Sequence, residues 1–142
     1  MKDFRDIAVG DIMWQQPPFR FVDRLEYCDR EVGRVSFTPS EKNLLMEDGK
    51  LTAAGLIEHM AQANAAREGY VAKYILHIDV GIGFIGQVRN FCLVRLPEAG
   101  ERLDTTVEVR YAVFQVCLCD VTVRCADEII ATASLKTALK DE

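Results

Sequence analysis

One segment, TAAGLIEHMAQANAAREGY at residues 52–70, constrains the fold more than any other part of the chain. Thr52 suits a helix N-cap, alanines are frequent and Gly69 is a stop signal, so the segment predicts one long helix. Glu58 and Gln62 lie four residues apart and share one stripe of that helix. The apolar side chains occupy most of the circumference, which indicates a helix enclosed by other elements. These apolar residues are Ala53, Leu56, Ile57, Met60, Ala61 and Ala65.

The segments on both sides of this helix have strand character. Residues 19–28 and 34–39 precede it, and residues 43–50 look like a loop with a polar turn. The string GIGFIG at residues 81–86 predicts a strand whose glycines permit either close backbone approach or a bulge, and no helix follows it to form a dinucleotide site. Strands, one enclosed helix and more strands predict an α+β domain. The later predicted strands, rich in β-branched residues, are 103–110, 113–124 and 129–137.

Length, charge and cysteine content limit the possible function classes. The chain has 142 residues, and we expect a single domain over residues 1–142. A formal net charge of −5 argues against nucleic-acid binding, which needs clustered Lys and Arg. No apolar run approaches the roughly 20 residues of a membrane-spanning helix, and the acidic N-terminus is unlike a signal peptide. Five cysteines without a CxxC pair predict buried thiols rather than a metal site, so we expect a cytoplasmic protein.

Four stretches of the chain resemble the 3-hydroxyacyl-ACP dehydratase family. QQPPFRFVDR at residues 15–24 is similar to the family's PHRYPFLLVDR, and LIEHMAQ at residues 56–62 is similar to its L-I-x-E-A-M-A-Q. FIGQVRNFCLVRLPEAGERL at residues 84–103 is similar to F-A-G-I-D-x-A-R-F…V-x-P-G-D-x-L, and CADEIIATASLKTA at residues 125–138 is similar to the closing hairpin. The resemblance covers nearly the whole chain and implies a hotdog fold. In that fold a bent antiparallel β-sheet wraps around one long central α-helix.

The resemblance also implies where the chemistry takes place. In that family a histidine and a helix acid from opposite subunits meet at the end of an acyl tunnel. The histidine takes a proton from the carbon beside the thioester carbonyl, and the acid helps the 3-hydroxyl leave as water. Glu58 matches the helix acid, and backbone N–H groups at the helix start can stabilise the oxyanion that develops. The alternative for Glu58 is a structural hydrogen bond to Gln62 or to the loop, with Gln62 holding Glu58 or a loop carbonyl in place. The substrate-binding residues that we predict are Gln62, Ala53, Ala54, Gly55, Phe84 and Gly86.

The chain departs from the family at the catalytic histidine. The family's G-H-F-P-G loop falls on residues 43–49, and Leu44 stands roughly at the histidine position. The first segment also carries Gln15 and Gln16 where the family has a histidine. Ordinary dehydration by this chain alone therefore lacks its expected base.

Other residues could replace the missing histidine. Asp48 and Glu47 could reach the site from the shifted loop as catalytic groups, although an unperturbed carboxylate is a weak base for an α-proton, and a solvated turn is the alternative interpretation. His59 follows Glu58 directly and points about 100° away, which favours a core or interface histidine. His77 lies beyond the helix, where only folding could bring it close to the site.

Three functions remain open from the sequence. The first is a dehydratase of fatty-acid or specialised lipid synthesis, acting alone or as half of a heterodimer with a histidine-bearing relative. The second is a hotdog thioesterase that uses Glu58, and the third is a non-catalytic subunit that binds or scaffolds acyl carriers. We expect acyl carrier protein or acyl-CoA as partner, a homodimer or heterodimer, and no cofactor. Candidate arginines for docking an acidic carrier are Arg20, Arg24, Arg67, Arg89, Arg95 and Arg102.

Overall fold

The computed structural model describes residues 3–139, which form one long helix and eight strands. Two short 3₁₀ turns, Phe4–Asp6 and Val9–Asp11, precede the first strand. The helix continues directly into a π-helical segment, Val71–Leu76. The main elements are β1 (Arg24–Cys28), β2 (Val32–Phe37), β3 (Met46–Glu47), β4 (Lys50–Leu51), α1 (Ala53–Tyr70), β5 (Gly83–Leu93), β6 (Leu103–Val113), β7 (Val116–Cys125) and β8 (Glu128–Leu139).

Six of the strands form one antiparallel sheet in the order β1-β2-β6-β7-β8-β5. The strands β3 and β4 form a separate short hairpin within the segment that we predicted to be a loop. The predicted α+β arrangement of one helix and a large antiparallel sheet is confirmed. The edges of the sheet are β1 and β5, so one side of each pairs with no strand among residues 3–139.

The helix α1 begins where the sequence predicts. The hydroxyl of Thr52 accepts a hydrogen bond from the backbone N–H of Gly55 at 3.1 Å, which is an N-cap. Leu56 and Met60 on the helix are fully buried and belong to the hydrophobic core formed with the sheet. The enclosed surface is less apolar than we predicted, because it also contains polar side chains. These are His59, Gln62, Asn64 and Arg67.

The predicted helix stop at Gly69 is wrong. The chain continues through Tyr70 and the π-helical segment, and the left-handed residue at the end is His77, with a φ of 55°. Gly69 is required for a different reason. A Cβ atom there would lie 1.7 Å from the carbonyl oxygen of Ile12, so only glycine lets the N-terminal segment pack this closely on the helix.

Other local predictions have mixed outcomes. The register between β5 and β8 shifts between Ile85 and Gln87, so Gly86 lies at the predicted bulge. Four of the five cysteines are buried as predicted, but Cys92 on β5 is exposed. No helix in the described part of the chain is both long enough and apolar enough to span a membrane.

Candidate functional site

A cavity of about 590 Å³ lies beside α1. One wall is the helix itself, where Ala61 and Ala65 leave room because their side chains are small. The opposite wall is the chain from Ile78 into the start of β5, and Trp14 closes the N-terminal side. The lining is mixed, with apolar groups along the length of the cavity and polar groups at several points. It therefore suits an amphipathic ligand such as an acyl group with a polar end.

Glu58 is half-buried on the helix wall of this cavity. Its carboxylate accepts a hydrogen bond from the side-chain amide of Gln62 at 2.9 Å. The same amide group donates to the carbonyl of Phe19 at 2.8 Å, and its oxygen accepts from the N–H of Phe21 at 2.6 Å. Gln62 thus joins Glu58 to the N-terminal segment and fixes the direction of the carboxylate. Its predicted contact with substrate stays a prediction.

His59 lies in the core, on a different side of the helix from the cavity. Its ring is fully buried and stacks on Phe37 with centroids 5.2 Å apart. Nδ1 lies 2.7 Å from the carbonyl oxygen of Phe21, so it must carry the proton, and Nε2 accepts from the hydroxyl of Thr105 at 2.7 Å. Burial lowers the pKa of His59 from 6.5 to about 4. The ring is therefore neutral at pH 7 and both nitrogens are occupied.

The other candidates for a base lie outside the cavity wall. Glu47 ends β3 and Asp48 follows in the hairpin turn, and both side chains are exposed. His77, at the end of the π-helical segment, is exposed as well. Leu44 is an exposed apolar residue of the preceding loop. Within residues 3–139, no histidine lines the cavity. Catalysis by Glu47 or Asp48 stays a prediction.

The predicted substrate-binding residues divide into two groups. Phe84 lines the cavity, and the residue is 54% exposed. Ala53, Ala54 and Gly55 form the first turn of α1, and Gly86 lies further along β5; none of these four lines the cavity. Their contacts with an acyl thioester stay predictions.

A polar cluster at the far end of the cavity was missed from the sequence. The carboxylate of Glu68 accepts a hydrogen bond from Asn64 at 2.6 Å and another from the hydroxyl of Thr137 at 3.3 Å. Burial raises the pKa of Glu68. Arg67 donates to the amide oxygen of Asn64 at 3.1 Å. Polar residues at positions i, i+3 and i+4 in a helix rich in alanine were the available signal for such a cluster.

Gln15 is a cavity-lining residue that the sequence does not indicate, since there it only stands where the family has a histidine. The residue is 9% exposed and lines the cavity. Its side-chain oxygen is buried and has no hydrogen-bond partner among the described residues. No sequence pattern indicates such an atom, because the lack of a partner depends on the packing of distant segments.

The proposed carrier-docking arginines are not equivalent. Arg67 is 5% exposed and bound inside the protein, so its inclusion was wrong. Arg95 pairs with Glu101 at 2.9 Å and with Glu128 at 2.9 Å. Arg102 pairs with Asp104 and Glu26, and the guanidinium of Arg20 bonds to Gln15 and Gln16. The two remaining arginines, Arg24 and Arg89, are exposed.

Comparison with known families agrees with this architecture. The family model of ApeP-like proteins, described as ApeP dehydratase, matches residues 7–142. The chain belongs to the ApeP-like dehydratase family. A search of curated proteins found no match to this ApeP-like chain.

Solved structures resemble the ApeP-like chain in fold. The dehydratase heterocomplex ApeI:P from Xenorhabdus doucetiae matches with a TM-score of 0.87 and 19% identity, over 96% of this chain and 93% of that chain. The PaaI protein of the E. coli phenylacetic acid degradation operon matches with a TM-score of 0.63 and 16% identity, over 80% of each chain. A hypothetical thioesterase from Streptococcus pneumoniae, solved with coenzyme A, matches with a TM-score of 0.65 and 12% identity, over 83% of this chain and 85% of that chain. The ApeP-like chain has the hotdog fold.

Proposed function

We propose that this ApeP-like chain is one subunit of a heterodimeric 3-hydroxyacyl-ACP dehydratase. It supplies Glu58 and the wall of the acyl cavity, and the partner subunit supplies the histidine. The observation that carries this proposal is the arrangement around Glu58. The carboxylate is held on the cavity wall by Gln62, while His59 next to it is sequestered in the core.

The proposed reaction divides proton transfer between the two subunits. The partner's histidine removes the proton from the carbon beside the thioester carbonyl, and Glu58 in its acid form gives a proton to the 3-hydroxyl. The bond between that hydroxyl oxygen and C3 then breaks, leaving an enoyl thioester and one water. The proton taken by the histidine and the proton lost by Glu58 balance each other. General acid–base catalysis of this kind contributes roughly 10²–10⁴-fold per group.

Two further observations support a heterodimer that acts on a carrier-bound substrate. The solved relative with a TM-score of 0.87 is itself described as a dehydratase heterocomplex. In this chain the edge strand β5 spans 11 residues and has mostly exposed side chains, as a strand that pairs with another subunit would. The exposed guanidinium groups of Arg24 and Arg89 are the candidates for contact with an acidic carrier.

The experiment uses the chain co-purified with a histidine-bearing hotdog relative and supplied with 3-hydroxyacyl-ACP. Enoyl product and free thiol are followed together. Glu58→Gln, which keeps the size of the side chain, is expected to slow enoyl formation by roughly 10²–10⁴-fold. The matched control is Glu41→Gln, an exposed carboxylate outside the cavity, which should keep the wild-type rate.

Two outcomes contradict the proposal. If Asp48→Asn or Glu47→Gln stops the reaction while Glu58→Gln does not, the acid lies in the β3–β4 hairpin. If free thiol forms without enoyl product, the chain is a thioesterase. That second function is supported by the fold of the thioesterase solved with coenzyme A, and Glu58 could perform it by activating water.

A further inference from the structure

The carboxylate of Glu68 has one oxygen held by the protein and one oxygen open to solvent. Oε1 accepts hydrogen bonds from the amide of Asn64 at 2.6 Å and from the hydroxyl of Thr137 at 3.3 Å. Oε2 accepts none within residues 3–139, and it is not among the buried atoms that lack a partner there, so solvent reaches it. The side chain is 18% exposed and lines the cavity. Oε2 therefore depends on water from the cavity for its hydration.

The groups that bind Oε1 fix the carboxylate at one level of the cavity wall. Arg67 donates to the amide oxygen of Asn64 at 3.1 Å, which orients the amide towards Glu68. Thr137 is part of β8 and pairs with β5 and β7 on either side. Burial raises the pKa of Glu68, which indicates that the carboxyl group has already lost part of its water. A ligand that removes the rest leaves Oε2 without any partner.

The helix wall of the cavity runs from Glu58 towards the C-terminus of α1. Glu58 is the first helix residue that lines the cavity, and Ala61, Ala65 and Glu68 follow it. The helix rises about 15 Å between the two carboxylate residues, at 1.5 Å per residue. An extended hydrocarbon chain advances roughly 1.3 Å per bond, so about 12 bonds cover this rise. An acyl group with C3 beside Glu58 therefore reaches the level of Glu68 at about C15.

We propose that Glu68 limits the length of the acyl chain that the cavity accepts. This inference rests on the proposed function, which places C3 of the substrate beside Glu58. Methylene groups that lie against Ala61 and Ala65 meet apolar side chains. A methyl-terminated chain that passes the level of Glu68 removes water from Oε2 and offers no donor in exchange, which is unfavourable. A shorter chain leaves that water in place. Glu68 is then a specificity-determining residue that takes no part in the proton transfers.

The test lets 3-hydroxydecanoyl-ACP and 3-hydroxyhexadecanoyl-ACP compete for the co-purified complex. In an equimolar mixture, the initial ratio of the two enoyl products equals the ratio of their kcat/KM values. We expect the wild type to favour the ten-carbon chain. Glu68→Met, which keeps the length of the side chain without its oxygens, should raise the relative kcat/KM of the sixteen-carbon chain roughly tenfold.

Asp79→Met is the matched control. Asp79 also lines the cavity, but it is exposed, so its carboxylate keeps water from the surface when a long chain binds. This variant should keep the wild-type ratio of products. An equal rise in both variants would overturn the assignment to Glu68, because any loss of a carboxylate from the lining would then have the same effect.

The outcomes separate this inference from the proposed function. Equal kcat/KM values for the two chains in the wild type, or an unchanged ratio in Glu68→Met, would overturn the length limit and leave dehydration in place. If the wild-type complex forms neither enoyl product, the proposed function fails instead.

A second measurement needs no variant and applies also if Glu68→Met does not fold. The substrate 3,16-dihydroxyhexadecanoyl-ACP carries a terminal hydroxyl that can donate to Oε2 in place of the lost water. In wild type it should be used in preference to the methyl-terminated chain of the same length. Equal use of the two sixteen-carbon chains would contradict the loss of hydration at Glu68 as the cause of the limit.

Discussion

Glu58 and His59 are consecutive residues with opposite surroundings. The turn of the helix directs the carboxylate to the cavity and the imidazole to the core, where it links three segments through Phe21, Thr105 and Phe37. His59 is therefore unable to act as a base beside the carboxylate of Glu58, although the two residues are adjacent in the sequence. Its proton-accepting nitrogen is already bound to the hydroxyl of Thr105.

The buried state of His59 predicts a dependence of stability on pH. Its pKa is about 4 in the folded protein and 6.5 for a solvated histidine, so the unfolded chain takes up a proton first as the pH falls. The stabilisation is fully present above pH 6.5 and is lost progressively as the pH falls towards 4. Between pH 7 and pH 5 we expect His59 to account for a loss of about 2 kcal/mol in the free energy of unfolding. Urea titrations at both pH values measure this loss.

The variant His59→Asn isolates this effect, because the carboxylates that titrate in the same range are common to both proteins. The variant is expected to be less stable at pH 7, since it leaves a gap and alters the bonds to Phe21 and Thr105. Its unfolding free energy should nevertheless change less between the two pH values. Parallel pH curves for the two proteins would refute the assignment.

At the level of single residues, helix periodicity was sufficient to predict the direction of some side chains. It placed Glu58 and Gln62 on one stripe and turned His59 away from them, as in the structure. It could not identify Gln15, whose unpaired oxygen arises from the packing of the N-terminal segment on the helix. It also gave no reason to expect Arg67 inside the protein, because the carbonyl of Arg30 that binds it lies 37 positions away in the chain.

Among the elements, α1 depends on close contact with the N-terminal segment at Gly69. Gly69→Ala would put a methyl group 1.7 Å from the carbonyl oxygen of Ile12, and backbone atoms have little freedom to move away. We expect the free energy of unfolding to fall by about 3 kcal/mol. Thermal and urea denaturation measure this change.

Gly83→Ala is the matched control for this substitution. A Cβ atom at Gly83 would lie 3.7 Å from the nearest atom, a methyl carbon of Leu139, which is ordinary van der Waals contact. Its effect should stay within about 1 kcal/mol. An equal loss in both variants would contradict the contact with Ile12 as the cause, because Gly→Ala at a position without a clash is neutral or stabilising through the lower freedom of the unfolded chain.

Prediction of the elements was most successful where the pattern was long. The start of α1 at Thr52 followed from cap chemistry, and the later strands followed from β-branched residues. Our prediction misplaced the end of the helix, because the sequence alone does not distinguish a glycine needed for close packing from a glycine that stops a helix. The two-residue strands β3 and β4 are too short to produce a periodic pattern.

For the whole molecule, β5 is the feature that bears on assembly. It is an edge strand of 11 residues, and its exposed apolar side chains include Ile85 and Leu93. Long apolar edges invite pairing with another chain. We expect the double variant Ile85→Lys with Leu93→Lys to weaken subunit association at least roughly tenfold, measured by sedimentation.

Phe114→Lys provides the comparison for the edge strand. Phe114 is fully exposed at the tip of the β6–β7 turn, so the substitution removes a comparable apolar group from outside the β5 edge. Association of this variant should match that of the wild type. If it dissociates while the β5 variant stays assembled, the subunits meet at the hairpin tip instead of at the sheet edge.

The overall architecture could be predicted from the sequence, since the enclosed helix at residues 53–70 and the surrounding strands determine it. The cavity was less accessible, because its walls come from the N-terminal segment, the helix and the start of β5, which are distant in the chain. Residues such as Trp14 and Thr137 meet only after folding. Hydrophobic periodicity does not indicate which distant residues come together in this way.

The N-terminal segment between Ile12 and Phe21 is attached to the helix at both ends. Ile12 rests on Gly69, and Phe21 is bound by Gln62 and His59. A stretch of chain anchored in this way loses little conformational freedom when a ligand arrives, because folding has already ordered it. Trp14 and Gln15 lie between the anchors and line the cavity, and their side chains form none of the hydrogen bonds that hold the segment, so they can be exchanged with little movement of the backbone. In an evolving family, such a segment allows the chemistry of the cavity to change while its shape is retained.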